Sequence, residues 1–236
     1  MTQKLAKLNL GGLDKHGLLK LSIVSSVLAV GALIVTPVQA ANLIQNGSFE
    51  DGPDPGSFAS LSSGSTVITG WEVTPVSIDY IGTFWLASNG ARSLDMNGPS
   101  APGGIKQTFS TTPGTKYRVT FDLAGNFTEP NANNGIRTLR VSAAGTSANF
   151  DFDITGKSST NMGWVSTFWD FTANSTTTTL EFNGANGTGA GAALDNVSVM
   201  AHSDPPTPTS IPEPSSILGL LSLGVLGIGS ALKRQS

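Results

Sequence analysis

The stretch KYRVTFDLAG, residues 116–125, decides the fold class. Polar side chains alternate in it with four large apolar ones, which are Tyr117, Val119, Phe121 and Leu123. Because side chains of a β-strand point alternately to the two faces of a sheet, this spacing predicts a strand with one buried face and one exposed face. The segment WVSTFWDFTA, residues 164–173, repeats the alternation, with one face made of Val165, Thr167, Trp169 and Phe171.

About ten short segments with strand-like composition follow one another along residues 41–200, and clusters of Gly, Asn, Pro and Ser separate them. No long helical period and no internal repeat interrupts the pattern. The middle of the chain is therefore predicted to be all-β, folded as a single jelly-roll β-sandwich. Its length is sufficient for one domain with a sizeable core.

Composition excludes several classes of function. Residues 41–200 hold 13 acidic and 7 basic side chains, a net charge of −6. This balance argues against a nucleic acid partner, because phosphate binding needs a basic patch. The chain has no cysteine, which excludes a thiol nucleophile, a thiolate metal site and a disulfide framework. Its two histidines, His16 and His202, lie outside this segment, which argues against a Ser–His–Asp triad and a histidine metal site.

The first 40 residues have the plan of a secretory signal peptide. A lysine-rich leader precedes a mostly apolar stretch, residues 21–35, and Pro37 then breaks the helix. Val38 and Ala40 place small residues at the two positions that a signal peptidase inspects, so cleavage is expected after Ala40. An uncleaved signal anchor is the alternative, although the apolar stretch is short for a membrane span.

The C-terminal end consists of a spacer and a membrane segment. Residues 201–214 are rich in proline and predict an extended spacer. Residues 215–232 carry no charge and are long enough, as a helix, to span a bilayer, and Lys233 and Arg234 would stop transfer on the cytoplasmic side. The predicted order is a signal peptide (1–40), a β-sandwich (41–200), a spacer (201–214) and a transmembrane helix with a basic tail (215–236).

The triplet Pro212-Glu213-Pro214, the apolar helix and the basic end together resemble the PEP-CTERM sorting signal of bacteria. The three parts stand in the same order as in that signal. The resemblance implies that an exosortase-type enzyme recognises this tail and cleaves near the triplet, with the helix holding a membrane-anchored intermediate. It also implies delivery to the cell surface or extracellular matrix, in bacteria that produce exopolysaccharide.

Two stretches at the ends of the domain, NLIQNGSFEDG (42–52) and AALDNVSVM (192–200), resemble the first and last strands of galactose-binding-like jelly rolls. Many carbohydrate-binding modules have this fold, in which the two stretches lie side by side and often hold a calcium ion. The resemblance places Glu50 and Asp195 at the acidic positions, and two carboxylates with loop carbonyls suit calcium chemically. Hydrogen bonding of the two carboxylates to turn amides is the alternative to structural calcium.

The residues between these stretches resemble the bacterial choice-of-anchor C family. The similar runs are SIDYIGTFWLASNGARSLDMNG (77–98) and GGIKQTFSTTPGTKYRVTFDLAGN (103–126). Proteins of that family carry one such domain and any of several surface anchors, and the domain is also similar to plant cell-wall proteins built from galactose-binding-like modules. The resemblance implies a fold and a surface location but no particular activity.

Carbohydrate binding needs exposed aromatic rings that stack on a sugar and polar groups that bind its hydroxyls. The candidates are Trp85 and Tyr80, which have glycine and polar neighbours, and Asn126 in a polar loop. Core packing is the alternative for both rings. It stays open for Trp85, whereas strand alternation favours it for Tyr80.

These features together predict an exported, non-catalytic surface protein that binds polysaccharide. A structural matrix protein that self-associates through its β-sandwich is the alternative. An enzyme acting on glycans is a third hypothesis, for which no spacing singles out a catalytic pair of carboxylates.

Overall fold

A computed structural model of the chain describes residues 41–99, 101–129, 132–186 and 189–202. The predicted signal peptide with its cleavage point at Ala40, most of the spacer, the triplet Pro212-Glu213-Pro214 and the C-terminal helix lie outside these residues. Within the described ranges, no helix has the length and apolar character needed to cross a membrane.

The described residues form eleven β-strands and one short 3-10 helix, at Ala132–Gly135. The strands are β1 (Phe58–Ser62), β2 (Glu72–Thr74), β3 (Ser77–Ile81), β4 (Ser93–Asp95), β5 (Gly104–Ser110), β6 (Lys116–Gly125), β7 (Ile136–Ala143), β8 (Thr146–Asp153), β9 (Val165–Thr172), β10 (Thr177–Gly184) and β11 (Ala192–Ala201). The all-β class predicted from the alternation is confirmed.

The strands form two antiparallel sheets. Sheet A has six strands in the order β1-β3-β4-β11-β6-β9, and sheet B has five in the order β2-β5-β10-β7-β8. The inner faces of both sheets contribute to one hydrophobic core. This arrangement is a jelly-roll β-sandwich, as predicted.

Strand β6 supplies the middle of the core. It pairs with β11 on one side and with β9 on the other. All four of its alternating apolar side chains, from Tyr117 to Leu123, are buried. Phe121 also meets Phe182 of sheet B edge-on, with the ring centroids 5.4 Å apart, so one side chain joins the two sheets.

Strand β9 lies at the edge of sheet A and follows its predicted alternation only in part. Trp169 and Phe171 stand opposite Val119 and Tyr117 and pack against the core as expected. Val165 has the same orientation but is 52% exposed. The reason is that, among the residues that the structure describes, β9 has a neighbouring strand on one side only, so the start of the strand is poorly covered.

The first and last segments of the domain run side by side, as the galactose-binding-like resemblance implied. The Leu43 N–H donates to the Val199 carbonyl and the Val197 N–H donates to the Gly47 carbonyl, both at 2.8 Å. Residue 47 must be glycine, because a Cβ there would lie 1.9 Å from the Val197 carbonyl oxygen. This adjacency brings Glu50 and Asp195 to the same loop.

Candidate functional site

Glu50 and Asp195 both bind the loop between β3 and β4, residues 82–92, which we call the clasped loop. Asp195 Oδ2 accepts hydrogen bonds at 2.8 Å from two backbone N–H groups, those of Ser88 and Asn89. Glu50 Oε1 accepts hydrogen bonds at 2.8 Å from the backbone N–H groups of Ala91 and Arg92. Four backbone N–H groups of the loop are thus held by two side chains, so Glu50 and Asp195 fix the clasped loop to the first and last segments of the domain.

Gly90 allows Glu50 to approach the loop. Its φ is +68°, in the left-handed region that favours glycine, and a Cβ would lie 2.3 Å from Glu50 Oε1. Both the backbone conformation and the close carboxylate therefore require glycine at this position.

The geometry does not fit a calcium ion held between Glu50 and Asp195. Glu50 Oε1 and both oxygens of Asp195 already accept bonds from backbone N–H groups, and these donors stand where a cation would have to approach. Among the residues that the structure describes, no group of three or more Asp, Glu or His side chains could hold a metal ion. The arrangement favours the alternative, amide binding, and calcium stays a prediction.

Chelation tests this point directly. Because backbone amides occupy Glu50 Oε1 and both oxygens of Asp195, we expect the Tm of the full-length chain in EDTA to equal that in millimolar calcium, within about 1 °C. The measurement is thermal unfolding followed by circular dichroism. A clear rise of Tm with calcium concentration would restore the calcium hypothesis.

Two buried carboxyl groups of sheet A have strongly raised pKa values. Burial raises the pKa of Asp195 to about 7, against the opposing effect of its amide donors. Burial likewise raises the pKa of Asp95 to about 7, although Asn126 and two backbone N–H groups bond to it. A raised pKa can mark a catalytic acid, but neither side chain has accessible surface through which a substrate could reach it.

These two carboxyl groups predict how stability depends on pH. Folded, each keeps its proton up to about pH 7, whereas in the unfolded chain it loses the proton near its ordinary pKa of 3.8. The folded state therefore binds more protons between about pH 4 and pH 7, so the free energy of unfolding falls as pH rises through this window. We expect the Tm at about pH 5 to exceed that at about pH 8 by several degrees.

Circular dichroism melts of the full-length chain across this range check the prediction. Asp54, Asp153 and Asp170, whose pKa values hydrogen bonds lower, are ionised in both states above about pH 5 and do not obscure it. A Tm that rises steadily from pH 5 to pH 8 would contradict the assignment.

The two rings predicted to contact sugar are in the interior. Tyr80 has no exposed surface, and its hydroxyl donates to the Phe49 carbonyl at 2.6 Å. Trp85 is 3% exposed and its Nε1 donates to Ser93 Oγ at 2.8 Å, although the ring borders a surface cavity of about 290 Å³ beside Leu86. Stacking needs an exposed ring face, so a sugar-stacking role does not fit either position.

Asn126 is also buried, and it is separate from the clasped loop's anchors. Its Nδ2 donates to Asp95 Oδ2 at 2.7 Å, while its Oδ1 accepts bonds from the N–H and the hydroxyl of Thr128. Both ends of the amide are thus occupied within the protein, so a sugar-binding role does not fit it as placed. The structure places four of the predicted site residues around one loop, Glu50, Asp195, Tyr80 and Trp85. Each of them is hydrogen-bonded to another group of the protein.

Phe168, in the middle of β9, is an exposed aromatic ring of sheet A. It is 57% exposed and stands opposite Thr120 of β6, on the outer face of the sheet. The Arg118 guanidinium carbon lies 4.2 Å from the ring centroid. Asp170 holds that guanidinium with two bonds, from Nε at 2.8 Å and from Nη2 at 2.9 Å. The ring is therefore supported by a fixed cation and still offers surface to solvent.

Asp122 completes this surface on the side of the clasped loop. It is two positions along β6 from Thr120, on the same outer face. Its Oδ2 accepts bonds from Ser88 Oγ at 2.7 Å and from Asn196 Nδ2 at 3.1 Å. We call the surface formed by Phe168, Arg118, Asp170, Asp122 and Ser88 the Phe168 platform. It combines a stacking ring with donors and acceptors for hydroxyl groups.

The sequence carried a signal for this platform. In WVSTFWDFTA the positions between the core-facing residues are Ser166, Phe168, Asp170 and Thr172. A large aromatic side chain among polar outward positions of a half-buried strand is exposed unless something covers it. Only the pairing of β6 with β9, however, shows that Arg118 and Asp122 lie beside it.

Fold and site together define a jelly-roll β-sandwich with an exposed aromatic platform on one face. The chain belongs to a family described as DUF642, protein of unknown function, whose model matches residues 42–200. A model of the PEP-CTERM protein-sorting motif matches residues 210–235, which include Pro212-Glu213-Pro214. The sorting signal recognised by resemblance is thereby confirmed.

Among curated proteins, the chain is similar to Halomucin of Haloquadratum walsbyi (strain DSM 16790 / HBSQ001). The two are 34% identical over 190 residues, which cover 78% of this chain and 2% of Halomucin. The chain thus spans only a small fraction of that relative's length.

The solved structures that are similar to this chain include carbohydrate-binding proteins. TmCBM61 in complex with β-1,4-galactotriose is 15% identical, with 69% of this chain and 100% of that chain covered and a TM-score of 0.43. A family 35 carbohydrate binding module from Clostridium thermocellum is 12% identical, with coverages of 61% and 99% and a TM-score of 0.42. The CBM22-1 xylan-binding domain of Paenibacillus barcinonensis Xyn10C is 14% identical, with coverages of 62% and 95% and a TM-score of 0.41.

Proposed function

We propose that this chain is an exported, surface-sorted, non-catalytic protein that binds carbohydrate through the Phe168 platform. The observation that carries the proposal is the exposed ring of Phe168, held by Arg118 on a strand face that is otherwise polar. An exposed ring with hydroxyl-binding neighbours is the minimum that sugar recognition requires.

The proposed route to the surface uses both ends of the chain. The signal peptide is removed after Ala40, and the C-terminal helix holds a membrane-anchored intermediate. An exosortase-type enzyme then recognises the PEP-CTERM tail, cleaves near Pro214 and passes the domain to the cell surface or extracellular matrix. The match of the sorting motif to residues 210–235 supports this route, and the resemblance to choice-of-anchor C proteins agrees with it.

The proposal that the domain is non-catalytic rests on where its unusual carboxyl groups lie. Asp95 and Asp195 have the pKa that an acid catalyst would need, but both are buried and bonded to amides. The two carboxylates of the Phe168 platform have other partners. Asp170 binds the guanidinium of Arg118, and Asp122 accepts hydrogen bonds from neutral donors. Neither arrangement matches two carboxyl groups that face each other across a bound sugar.

Polysaccharide pull-down with the full-length chain in mild detergent tests the function. The protein is mixed with insoluble polysaccharides and applied in parallel to a broad glycan array. We expect retention on at least one polysaccharide in both assays. No binding to any glycan would contradict the proposal.

Self-association is the second candidate, and the exposed edge of sheet A favours it. Strand β9 has one neighbouring strand, and Val165 and Phe168 are exposed on it, which are features of strands that pair with another chain. Sedimentation velocity at rising concentration distinguishes the two functions. A protein that stays monomeric and binds glycan supports the first.

A further inference from the structure

The outer face of sheet A has an excess of negative charge. Its outward positions hold five aspartates and two basic residues, but two of the aspartates, Asp95 and Asp195, are buried and keep their protons up to about pH 7. The aspartates that face solvent are Asp79, Asp122 and Asp170, and the basic residues are Lys116 and Arg118. The net negative charge of this face is therefore small, and what matters for an anion at the Phe168 platform is which carboxylate lies beside the ring without a cation.

The two basic residues are bound to one aspartate. Asp170 accepts two hydrogen bonds from Arg118, and the Lys116 ammonium lies 3.7 Å from the same carboxylate. The guanidinium is further oriented by the Phe168 ring beneath it. The guanidinium of Arg118 supports the ring, and the carboxylate of Asp170 partly neutralises its positive charge in the absence of any ligand.

Within the described part of the chain, the negative charge of Asp122 is not balanced by a hydrogen-bonded basic side chain. Its two hydrogen-bond donors, the Ser88 hydroxyl and the Asn196 amide, are neutral. Both bonds end on Oδ2, and Asp195 is its partner in the register of β11. Oδ1 of Asp122 is thus left to accept a hydroxyl hydrogen from a molecule stacked on Phe168, while a carboxylate in that place would be repelled.

We infer that the Phe168 platform selects neutral polysaccharides against uronic acid polymers, with Asp122 as the specificity-determining residue. This inference rests on the proposed carbohydrate-binding function and names the class of ligand for the same site. The ring supplies stacking, which is insensitive to charge, and Asp122 supplies the discrimination.

The test uses polysaccharides that share a backbone and differ in charge. Affinity electrophoresis of the full-length chain compares hydroxyethylcellulose with carboxymethylcellulose, and galactan with polygalacturonate. We expect the neutral member of at least one pair to bind about tenfold or more tightly than its acidic partner. At higher salt the long-range part of the repulsion is screened, but contact with Asp122 still disfavours the acidic polymer.

Two variants with the same change of net charge separate the local effect from the global one. Asp122→Asn should reduce the preference for the neutral polymer several-fold, because the amide no longer repels a carboxylate. Asp151→Asn is the control: Asp151 is an exposed carboxylate that also accepts a hydroxyl bond, from Thr138, but it lies on β8 of sheet B. This control should leave the preference unchanged.

The outcomes distinguish the inference from the function on which it rests. Equal binding of neutral and acidic partners, or equal effects of Asp122→Asn and Asp151→Asn, would overturn the inference and leave carbohydrate binding in place. Silence in all four gels would also overturn it. If the protein also bound no glycan on the array, the proposed carbohydrate-binding function would be contradicted.

Discussion

Replacing Phe168 with alanine is expected to lower the affinity for a bound polysaccharide at least tenfold, which corresponds to about 1.4 kcal/mol. Exposed aromatic side chains in the centre of a binding surface commonly contribute this much or more. Stability should change little, because the ring is 57% exposed and its main contact is the guanidinium of Arg118, worth about 0.5–1 kcal/mol at an exposed site. Isothermal titration with the polysaccharide found by pull-down measures the affinity, and thermal melts measure stability.

Phe58→Ala is the matched control for this variant. Phe58 is the other exposed phenylalanine of sheet A, 46% exposed on the edge strand β1, and it packs edge-on against Phe84 instead of a cation. It should bind polysaccharide as the unmodified chain does. If Phe168→Ala also retains full affinity with an unchanged melt, the platform is not the binding site, and the cavity beside Leu86 becomes the next candidate.

The alternation of side chains was sufficient to predict the architecture, because in each half-buried strand the apolar residues mark the buried face and the polar residues mark the exposed face. In β6 every apolar residue from Tyr117 to Leu123 is buried, as the sequence indicates. Alternation does not record how many neighbours a strand has. Val165 is therefore exposed although its position in the pattern is that of a core residue, because β9 lies at the edge of sheet A.

The positions of the candidate sugar contacts could not be derived from the sequence, because they depend on how one loop folds. Trp85 lies in the clasped loop. A loop has no alternation of side chains, so its sequence does not indicate whether a tryptophan is buried or exposed. The structure turns its Nε1 to Ser93, the first residue of β4, and buries the ring. Tyr80 differs, since its place in an alternating strand already favoured the core, and it is in the core.

The two end motifs show which kind of inference a resemblance supports. It placed Glu50 and Asp195 near one another, and the structure connects both to the clasped loop. Their chemical role depends on which groups lie opposite, and four backbone N–H groups of the clasped loop occupy that position. The order of the strands is enough to bring two side chains close together. Whether the two side chains bind a metal ion depends on how the groups between them are oriented.

Replacing Arg137 with methionine is expected to destabilise the domain by about 3 kcal/mol or more, because each buried carbonyl left without a donor costs about 1–3 kcal/mol. Arg137 lies on β7 with no exposed surface. Its Nε donates to the Asn126 carbonyl at 3.1 Å, and its Nη2 donates to the Thr128 carbonyl at 2.7 Å and to the Glu129 carbonyl at 3.1 Å. Gly125 leaves space for the side chain, since a Cβ there would lie 2.7 Å from Arg137 Cγ.

Methionine has a similar length but no donor, so the three carbonyls would lose their partner and the turn after β6 would lose its attachment to sheet B. Arg140→Met on the same strand is the control, because Arg140 is exposed and its guanidinium bonds to the Ser147 hydroxyl, so its loss should cost less than about 1 kcal/mol. Urea unfolding measures both, with the difference in free energy taken from the midpoints at a common slope. Similar midpoints for the two variants would show that the turn does not depend on Arg137, and that the bonds of Asn126 to Asp95 and to the Gly191 carbonyl suffice to hold it.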